Sequence, residues 1–357
     1  METTVHPSAA RPDPLLSVHD LRVDFKTEEG VIHAVRGVSW EVYPGEVLGI
    51  VGESGSGKSV SVAAVLGLLP SQSATVTGGP VLFGGRNLLT MSERELRKVR
   101  GKEIAMIFQD PMTAFNPVQT IGHQLSEALR VHDRSMSRRS AKITSTDLLA
   151  LVGVPSPAER FSQFPHEYSG GMRQRAMIAM AIANRPKILI ADEPTTALDV
   201  TIQAQILELL EVVRKETNAA TILITHDLGV IAEVADRVLV MYAGKVVEST
   251  SILRLFQDPR HPYTLGLMGS LPRLDVRMEQ LYSIPGQPPN LNFLPQGCAF
   301  APRCSLGRGR SLCRQVEPAL VEVDAQQAAA CHFTTEMETE ARAVSERVGI
   351  DVRAGRE

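Results

Sequence analysis

Apolar and polar residues nearly alternate close to the start of the chain. The alternation runs from Leu16 to Phe25 and resumes from Val38 to Val42. A period of two is typical of strands that bury one face and leave the other in water. The pattern therefore predicts an antiparallel layer here.

The middle of the chain instead contains short, nearly continuous apolar runs separated by helix-like stretches. These runs occupy residues 47–51, 104–108, 188–191 and 221–224. Buried parallel strands have this pattern because helices cover both faces of their sheet. Residues 238–248 predict a closing hairpin that turns at Ala243 and Gly244. Together these elements predict an α/β fold.

Three further segments differ from this pattern. Residues 120–168 are polar and helix-prone, which predicts a helical insertion. Residues 259–333 are rich in Pro and Gly and predict a second, loop-rich module. We expect residues 1–14 to form a flexible lead-in and residues 334–357 a charged tail.

Composition excludes several classes of protein. Hydrophobic residues make up 43% and charged residues 22% of the 357 residues, as in a soluble globular protein. The net charge of −3 argues against a nucleic-acid partner, because phosphate-backbone affinity needs clustered positive charge. No stretch approaches the roughly 20 apolar residues that span a bilayer, and the start lacks the apolar core of a secretory signal. We expect a cytosolic or cytosol-facing protein.

A glycine-rich segment, GESGSGKS, directly follows the predicted strand at 47–51. Glycines let backbone N–H groups wrap around phosphate oxygens at a helix start. Lys58 would reach the β- and γ-phosphates, and the Ser59 hydroxyl would bind Mg²⁺. The alternative is a glycine-rich turn that matches by chance. The residues expected to bind nucleotide are Gly52, Ser54, Gly55, Ser56, Gly57, Lys58 and Ser59.

Polar residues follow three other predicted strands. Asp192 and Glu193 end the run ILIADE, where Asp192 could hold Mg²⁺ and Glu193 could polarise an attacking water. His226 and Gln109 occupy the corresponding positions after their own strands. Ligands bind where the carboxyl ends of parallel strands meet. Taken alone, each residue could equally be an ordinary loop residue.

A second candidate anion site lies in the segment HEYSGGMRQR. Ser169 is a good helix N-cap, and Gly170 and Gly171 would expose backbone N–H groups. Taken alone, this segment predicts only a capped helix with a flexible lead-in.

The order of these motifs, with Thr196-Ala-Leu-Asp199, resembles the nucleotide-binding subunit of an ATP-binding cassette (ABC) transporter over residues 16–260. The chain departs from the commoner family residues at Tyr168, Met172 and Thr196. Ser169 and the glycines that follow it are unchanged. The resemblance implies a RecA-like core with an antiparallel β-subdomain and a helical subdomain at about 115–175. The whole nucleotide-binding domain would span residues 15–258.

The resemblance also implies roles for residues and partners. ATP and Mg²⁺ would bind, with Glu193 as general base and His226 and Lys58 stabilising the γ-phosphate. The Mg²⁺ ligands would be Ser59, Gln109 and Asp192. Phe25 would stack on adenine. Two ATPase subunits would pack head to tail, which would place Ser169, Gly170 and Gly171 against the partner's nucleotide. Asp199 would lie at the interface between the two subunits. Gln109 would couple the nucleotide site to membrane subunits.

All four cysteines fall within the last 60 residues, which indicates a metal or cluster site in a reducing compartment. Their spacing, C-x5-C-x8-C-x17-C, lacks the paired knuckles of structural zinc sites. Iron–sulfur ligand spacings are more varied. The four residues are Cys298, Cys304, Cys313 and Cys331.

HPYT, GCAFAPRC and Ala330-Cys331-His332 resemble the C-terminal domain of ATPases that serve dipeptide, oligopeptide and nickel importers. For that domain the resemblance implies a [4Fe-4S] cluster on the four cysteines, as in at least some members of the family. Zinc or no metal are the alternatives. The expected function is ATP hydrolysis that powers import of di- or oligopeptides, or alternatively of nickel or another small solute. Expected partners are a second, homologous ATPase, two membrane permeases and an extracytoplasmic substrate-binding protein. The subunit would lie at the cytoplasmic face of the membrane.

Other function classes fit less well. They are a non-transport ABC ATPase acting on DNA or ribosomes, an exporter ATPase, and a nucleotide-binding regulatory module without hydrolysis. The single cassette and the absence of excess positive charge argue against an ATPase acting on DNA or ribosomes. The cysteine module argues against an exporter ATPase. Intact Glu193 and His226 argue against a module without hydrolysis.

Overall fold

The fold is built on two β-sheets, seen in a computed structural model that describes residues 12–196, 199–270, 284–324 and 326–337. The strands in these ranges are β1 (Leu16–Thr27), β2 (Gly30–Val42), β3 (Val47–Val51), β4 (Ala74–Thr77), β5 (Val81–Phe83), β6 (Arg86–Asn87), β7 (Ile104–Ile107), β8 (Ile188–Asp192), β9 (Ala220–Thr225), β10 (Arg237–Tyr242), β11 (Lys245–Ser251), β12 (Val321–Asp324) and β13 (Gln327–Ala329). The α-helices in the same ranges are α1 (Lys58–Val65), α2 (Glu93–Val99), α3 (Pro111–Ala114), α4 (Ile121–Arg130), α5 (Arg138–Leu151), α6 (Pro157–Arg160), α7 (Gly170–Ile182), α8 (Val200–Thr217), α9 (Leu228–Val234), α10 (Ile252–Gln257), α11 (Pro262–Gly269) and α12 (Ser311–Gln315).

The smaller sheet is the predicted antiparallel layer. Its strands run in the order β2-β1-β5-β6, and β4 also pairs with β1. The β1–β2 pairing extends from Leu16 opposite Val42 to Thr27 opposite Gly30. Val18, Leu21 and Val23 are buried, so the alternating pattern does mark a sheet with one face on the core.

The larger sheet has the order β12-β13-β11-β10-β3-β9-β8-β7, with parallel pairing from β10 to β7. Both faces of the parallel strands are buried. On β3, Leu48 and Ile50 pack toward the smaller sheet, whereas Val47 and Val51 pack into the core on the other side. This two-sided burial explains the continuous apolar runs in the sequence.

A tight turn joins β10 to β11. Its two central residues, Ala243 and Gly244, have φ angles of 48° and 78°. Positive φ at both positions is the geometry of a type I′ hairpin. The predicted closing hairpin is therefore present, and it pairs antiparallel at the edge of the parallel strands.

The C-terminal region continues the larger sheet. Strand β13 pairs with β11, and Phe300, Cys304 and Ala330 belong to the same hydrophobic core as the helices behind β3. Phe300 contacts the rings of Tyr242 and Tyr263 edge-on, with centroids 5.2 and 5.4 Å apart. The hydrophobic core and the larger sheet thus both include residues on either side of residue 258. The domain boundary placed there stays a prediction.

Helices occupy much of the segment expected to form the helical subdomain. Residues 115–175 contain α4, α5, α6 and the start of α7. Residues 1–11 of the expected lead-in and 338–357 of the expected tail lie outside the described residues. Met337, within that expected tail, is buried against Leu265. Over the described ranges, no helix is both long and apolar enough to cross a membrane.

One buried carboxylate ties the C-terminal region to β11. Glu248 accepts hydrogen bonds from Thr264 Oγ1 at 2.6 Å, the Arg260 N–H at 2.7 Å, the His261 N–H at 3.0 Å and Gln327 Nε2 at 3.1 Å. Burial raises the pKa of Glu248 to about 7 and lowers the pKa of His261 to about 3. Two neighbouring groups therefore titrate far from their ordinary values.

These two groups predict a pH signature of stability. The folded chain holds the Glu248 proton between pH 4.5 and about 7, so the Glu248 contribution to the free energy of unfolding falls as pH rises through that window. The unfolded chain holds the His261 proton between about 3 and 6.5, so the His261 contribution rises with pH there. The two contributions oppose each other between pH 4.5 and 6.5.

Glu248→Gln should remove only the falling contribution. Relative to wild type, the variant's free energy of unfolding should then rise with pH by up to about 1.4 kcal/mol per pH unit between pH 4.5 and about 7, whatever its absolute stability. Urea unfolding at a series of pH values measures this, with exposed Glu233→Gln as the control. Parallel curves for wild type and Glu248→Gln would contradict the assignment.

Candidate nucleotide-binding site

The phosphate loop joins β3 to α1. Gly57, with φ 97°, precedes the first helical residue, Lys58. An added Cβ on Gly57 would lie 2.5 Å from the Ala34 carbonyl oxygen, and one on Gly52 would lie 2.2 Å from the Met241 carbonyl oxygen. Neither position can take a side chain without moving backbone. The loop therefore presents the N–H groups of the first helical turn, which suits phosphate.

Lys58 lies inside this loop. Its Nζ donates to the Gly52 carbonyl at 2.7 Å and to the Glu53 carbonyl at 3.0 Å. Burial lowers the pKa of Lys58, although nearby carboxylates oppose the shift. Ser54 and Gly55 are exposed at the loop tip. The buried Ser56 hydroxyl makes no hydrogen bond within the described residues, so it remains available to a ligand.

Ser59 and Asp192 face each other across the sheet edge. Ser59 Oγ donates to Asp192 Oδ1 at 2.7 Å. Burial raises the pKa of the Asp192 carboxyl, which a bound cation would reverse. Hydroxyl and carboxylate oxygens are the donor types that Mg²⁺ prefers, so the pair fits this ion.

Two side chains hydrogen-bond to Glu193, and a third lies close to it. Its Oε2 accepts from Gln109 Nε2 at 2.9 Å and from Thr196 Oγ1 at 2.8 Å, while His226 Nδ1 lies 3.5 Å from Oε1. The Glu193 backbone has a φ of 46°, an unfavourable value for a side chain of this size. Strained backbone of this kind is concentrated at functional sites. The structure thus joins the predicted residues Gln109, Glu193 and His226.

Ser169 and Asp199 form a separate, exposed group. Ser169 caps α7 through the Met172 N–H at 3.3 Å, and Asp199 caps α8 through the Ile202 N–H at 3.0 Å. A Cβ on Gly171 would lie 3.5 Å from Ile202, so the two helix starts are adjacent. No hydrogen bond found in the described part of the chain joins this group, Gly170 included, to the phosphate loop.

Phe25 lies on the strand of the smaller sheet that pairs with β2. It is half-buried on β1, directly opposite Ile32 of β2. Ile32 is two residues from Ala34, whose carbonyl approaches Gly57. This position is compatible with a base bound beside the loop.

The four cysteines line one small cavity with His332 and Phe333. Backbone N–H groups point at the sulfur atoms, from Gly307 to Cys304 Sγ at 3.1 Å and from Phe333 to Cys331 Sγ at 3.4 Å. Burial raises the pKa of all four thiols, to about 12 for Cys304 and about 11 for Cys331. Over the described ranges, no three or more Cys, His, Asp or Glu side chains lie close enough together to hold one metal ion.

Comparison with known proteins identifies the family. A family profile described as "ABC transporter" matches residues 35–196, and one described as "Oligopeptide/dipeptide transporter, C-terminal region" matches residues 247–311. The dipeptide transport ATP-binding protein DppD of Bacillus subtilis is 56% identical over 82% of this chain and 87% of its own length. The oligopeptide transport ATP-binding protein OppD of Escherichia coli is 51% identical over 85% of this chain and 90% of its own length.

The chain belongs to the ATP-binding proteins of oligopeptide/dipeptide ABC transporters.

Solved ABC cassettes confirm the predicted fold class of this peptide-transporter ATPase. The dimeric ATP-binding cassette MJ0796, in a post-hydrolysis state with ADP and Pi, aligns with a TM-score of 0.60 and 27% identity over 66% of this chain and 98% of its own. CbiO1 from Clostridium perfringens, part of the transporter complex cbiONQ, aligns with a TM-score of 0.57 and 26% identity over 69% and 91%.

Two polar contacts in this peptide-transporter ATPase were not predicted. Besides the Thr196 hydroxyl on Glu193, the buried Gln174 Nε2 donates to the Pro194 carbonyl at 2.7 Å. Gln174 therefore links α7 to the segment after β8. Its place on the apolar, core-facing side of a helix is the signal that could have identified it, since buried polar side chains require partners.

Proposed function

We propose that this ABC ATPase powers the import of di- or oligopeptides through a multisubunit transporter. The main support is the convergence of Lys58, Ser59, Asp192 and Glu193 at one sheet edge in a chain of this family. Peptide cargo is supported by the C-terminal profile and by the names of the relatives. Nickel or another small solute is the alternative.

The proposed chemistry uses the contacts around Glu193. Gln109 and Thr196 both donate to Oε2, so Oε1 is the oxygen left to accept a proton from the attacking water. Lys58 would exchange the carbonyls of Gly52 and Glu53 for phosphate oxygens, and His226 would stabilise the γ-phosphate. Mg²⁺, held by Ser59 and Asp192 with Gln109 close by, would neutralise phosphate charge.

A second ATPase subunit would complete the site. Ser169, Gly170 and Asp199 are exposed at two adjacent helix starts, where backbone N–H groups can bind an anion. We propose that Ser169 and Gly171 meet the nucleotide on the partner's Lys58 in a head-to-tail pair.

Two permeases would anchor this ATPase at the cytoplasmic face of the membrane. An apolar groove beside Gln109 lies between β7, α4 and α7, and is lined by Phe108, Val131 and Met180 among others. Phe108 and Val131 are exposed apolar side chains, a feature that favours a protein partner. Gln109 would connect that partner to Glu193, and an extracytoplasmic binding protein would deliver cargo to the permeases.

We further propose a structural [4Fe-4S] cluster on the four cysteines. Four thiols around one cavity, with N–H donors on the Cys304 and Cys331 sulfur atoms, match the donor set of such clusters. A single zinc ion would need four ligand atoms within about 2.3 Å of one point. Thiolates of a cluster bind different irons and can stand further apart. Zinc and no metal remain the alternatives.

Iron analysis tests the cluster. Anaerobically purified full-length protein should contain iron and inorganic sulfide in equal amounts, and Cys304→Ser should lower both together with the thermal midpoint. Zinc-loaded, iron-free protein would overturn the proposal. Exposed Ser311→Ala serves as the control in the same region.

Uptake of labelled di- and oligopeptides tests the transport function. Cells with wild-type protein should accumulate peptide, and cells with Glu193→Gln at matched expression should not. Retained peptide uptake in the variant would shift the cargo toward nickel or another solute.

A further inference from the structure

Glu53, the second residue of the phosphate loop, is held through all three of its polar groups. Its N–H donates to the Tyr263 hydroxyl at 2.7 Å. Its carboxylate accepts two bonds from Arg303, from Nη1 to Oε2 at 2.6 Å and from Nη2 to Oε1 at 2.9 Å. Its carbonyl accepts from Lys58 Nζ at 3.0 Å. Two of these three restraints come from the C-terminal region.

Arg303 is itself fixed in place. Its side chain is only 6% exposed, and Nε donates to the Pro285 carbonyl at 3.0 Å. Nη1 also reaches the Tyr242 hydroxyl at 3.3 Å. A buried guanidinium with this many partners presents its two-pronged face to Glu53 in a single orientation.

Charge gives this contact a consequence for nucleotide binding. The phosphate loop must accept a polyanion, yet Glu53 adds a negative charge inside the loop. Arg303 neutralises that charge in a partly buried setting, where water screens it weakly. The bond to Tyr263 and the Arg303 pair also hold the glycine-rich turn, whose backbone is otherwise free to rearrange.

We propose that Arg303 and Tyr263 are positioning residues for ATP binding, so that the cysteine-containing C-terminal region forms part of the nucleotide site. The inference rests on the proposed function of the phosphate loop. Arg303 acts through Glu53, and Glu53 acts through the loop that carries Lys58.

The test is the ATP affinity and the KM and kcat of full-length variants. Arg303→Gln should weaken binding of a fluorescent ATP analogue and raise KM by about tenfold, which corresponds to about 1.4 kcal/mol, with a smaller change in kcat. Glu53→Gln should weaken binding less than Arg303→Gln does, because the amide oxygen can still accept a bond from Arg303 and the repelling charge is gone. The double variant should therefore bind more tightly than Arg303→Gln alone.

A purely structural ion pair gives a different pattern. In that case both single variants would weaken ATP binding equally and the double variant would be no better. The matched control is Glu317→Gln, which breaks partly buried pairs with Arg36 and Lys245 between the C-terminal region and the core. Affinity for Arg303→Gln within twofold of this control would overturn the proposal.

If Arg303→Gln does not fold, Tyr263→Phe removes only the hydroxyl that receives the Glu53 N–H and should weaken ATP binding about threefold, whereas unchanged affinity would overturn the proposal. If wild-type protein binds no Mg²⁺·ATP, the proposed function itself fails. Wild-type binding with unaffected variants refutes only the positioning roles.

Discussion

Replacing Glu193 by Gln is expected to lower ATP turnover by about 10²–10⁴-fold while ATP still binds. The amide oxygen of the new side chain can occupy the Oε2 position and keep the bonds from Gln109 and Thr196. The amide nitrogen then takes the Oε1 position, where it cannot accept a proton. Geometry is preserved, and only the base is lost.

Phosphate release by the purified complex and binding of a fluorescent ATP analogue measure the two halves of this expectation. Glu208→Gln, an exposed carboxylate on α8, is the control and should hydrolyse ATP like wild type. Near wild-type hydrolysis by Glu193→Gln would show that another group takes the proton.

Gly57→Ala should weaken ATP binding on the order of 100-fold, because backbone strain and a displaced strand together cost about 3 kcal/mol. The new Cβ would sit at φ 97° and 2.5 Å from the Ala34 carbonyl oxygen. That oxygen belongs to β2, so relief requires the smaller sheet to move away from the loop. The helix start would then no longer present its N–H groups as before.

Gly55→Ala is the matched comparison. Gly55 also has a positive φ of 79°, but among the described residues no atom beyond its chain neighbours lies within 4 Å of its added Cβ. It should show only the strain, about 1–2 kcal/mol in the free energy of unfolding, with a far smaller loss of affinity. ATP-analogue titration and urea unfolding of both variants separate strain from collision. Equal affinities would contradict the role given to the Ala34 carbonyl.

Much of the central fold could be predicted from the sequence because its signals are local. The run at 47–51 matches β3, and the run at 188–191 matches β8 except for the terminal Asp192. Continuous apolar runs require burial on both faces, which only a covered parallel sheet supplies. Polar residues directly after such runs then meet at one edge, as Asp192, Glu193 and Gln109 do.

Other contacts had no local signal. β13 is a strand of three residues with no alternation, and its pairing with β11 depends on distant residues. The contact of Arg303 with Glu53 joins residues 250 positions apart, and either residue alone resembles an ordinary surface charge. The neighbours of Ser169 in a head-to-tail pair belong to another chain, so one sequence can indicate them only through resemblance.

The late position of β13 has a consequence for protein synthesis. Until Ala329 has been added, β11 presents an open edge on the side where Glu248 and Ser249 later pair. Glu248 also lacks the amide of Gln327 over the same period. Unpaired strand edges invite association between chains. The nascent ATPase therefore exposes an unpaired strand edge on the ribosome, after its phosphate loop and catalytic strands have already been made.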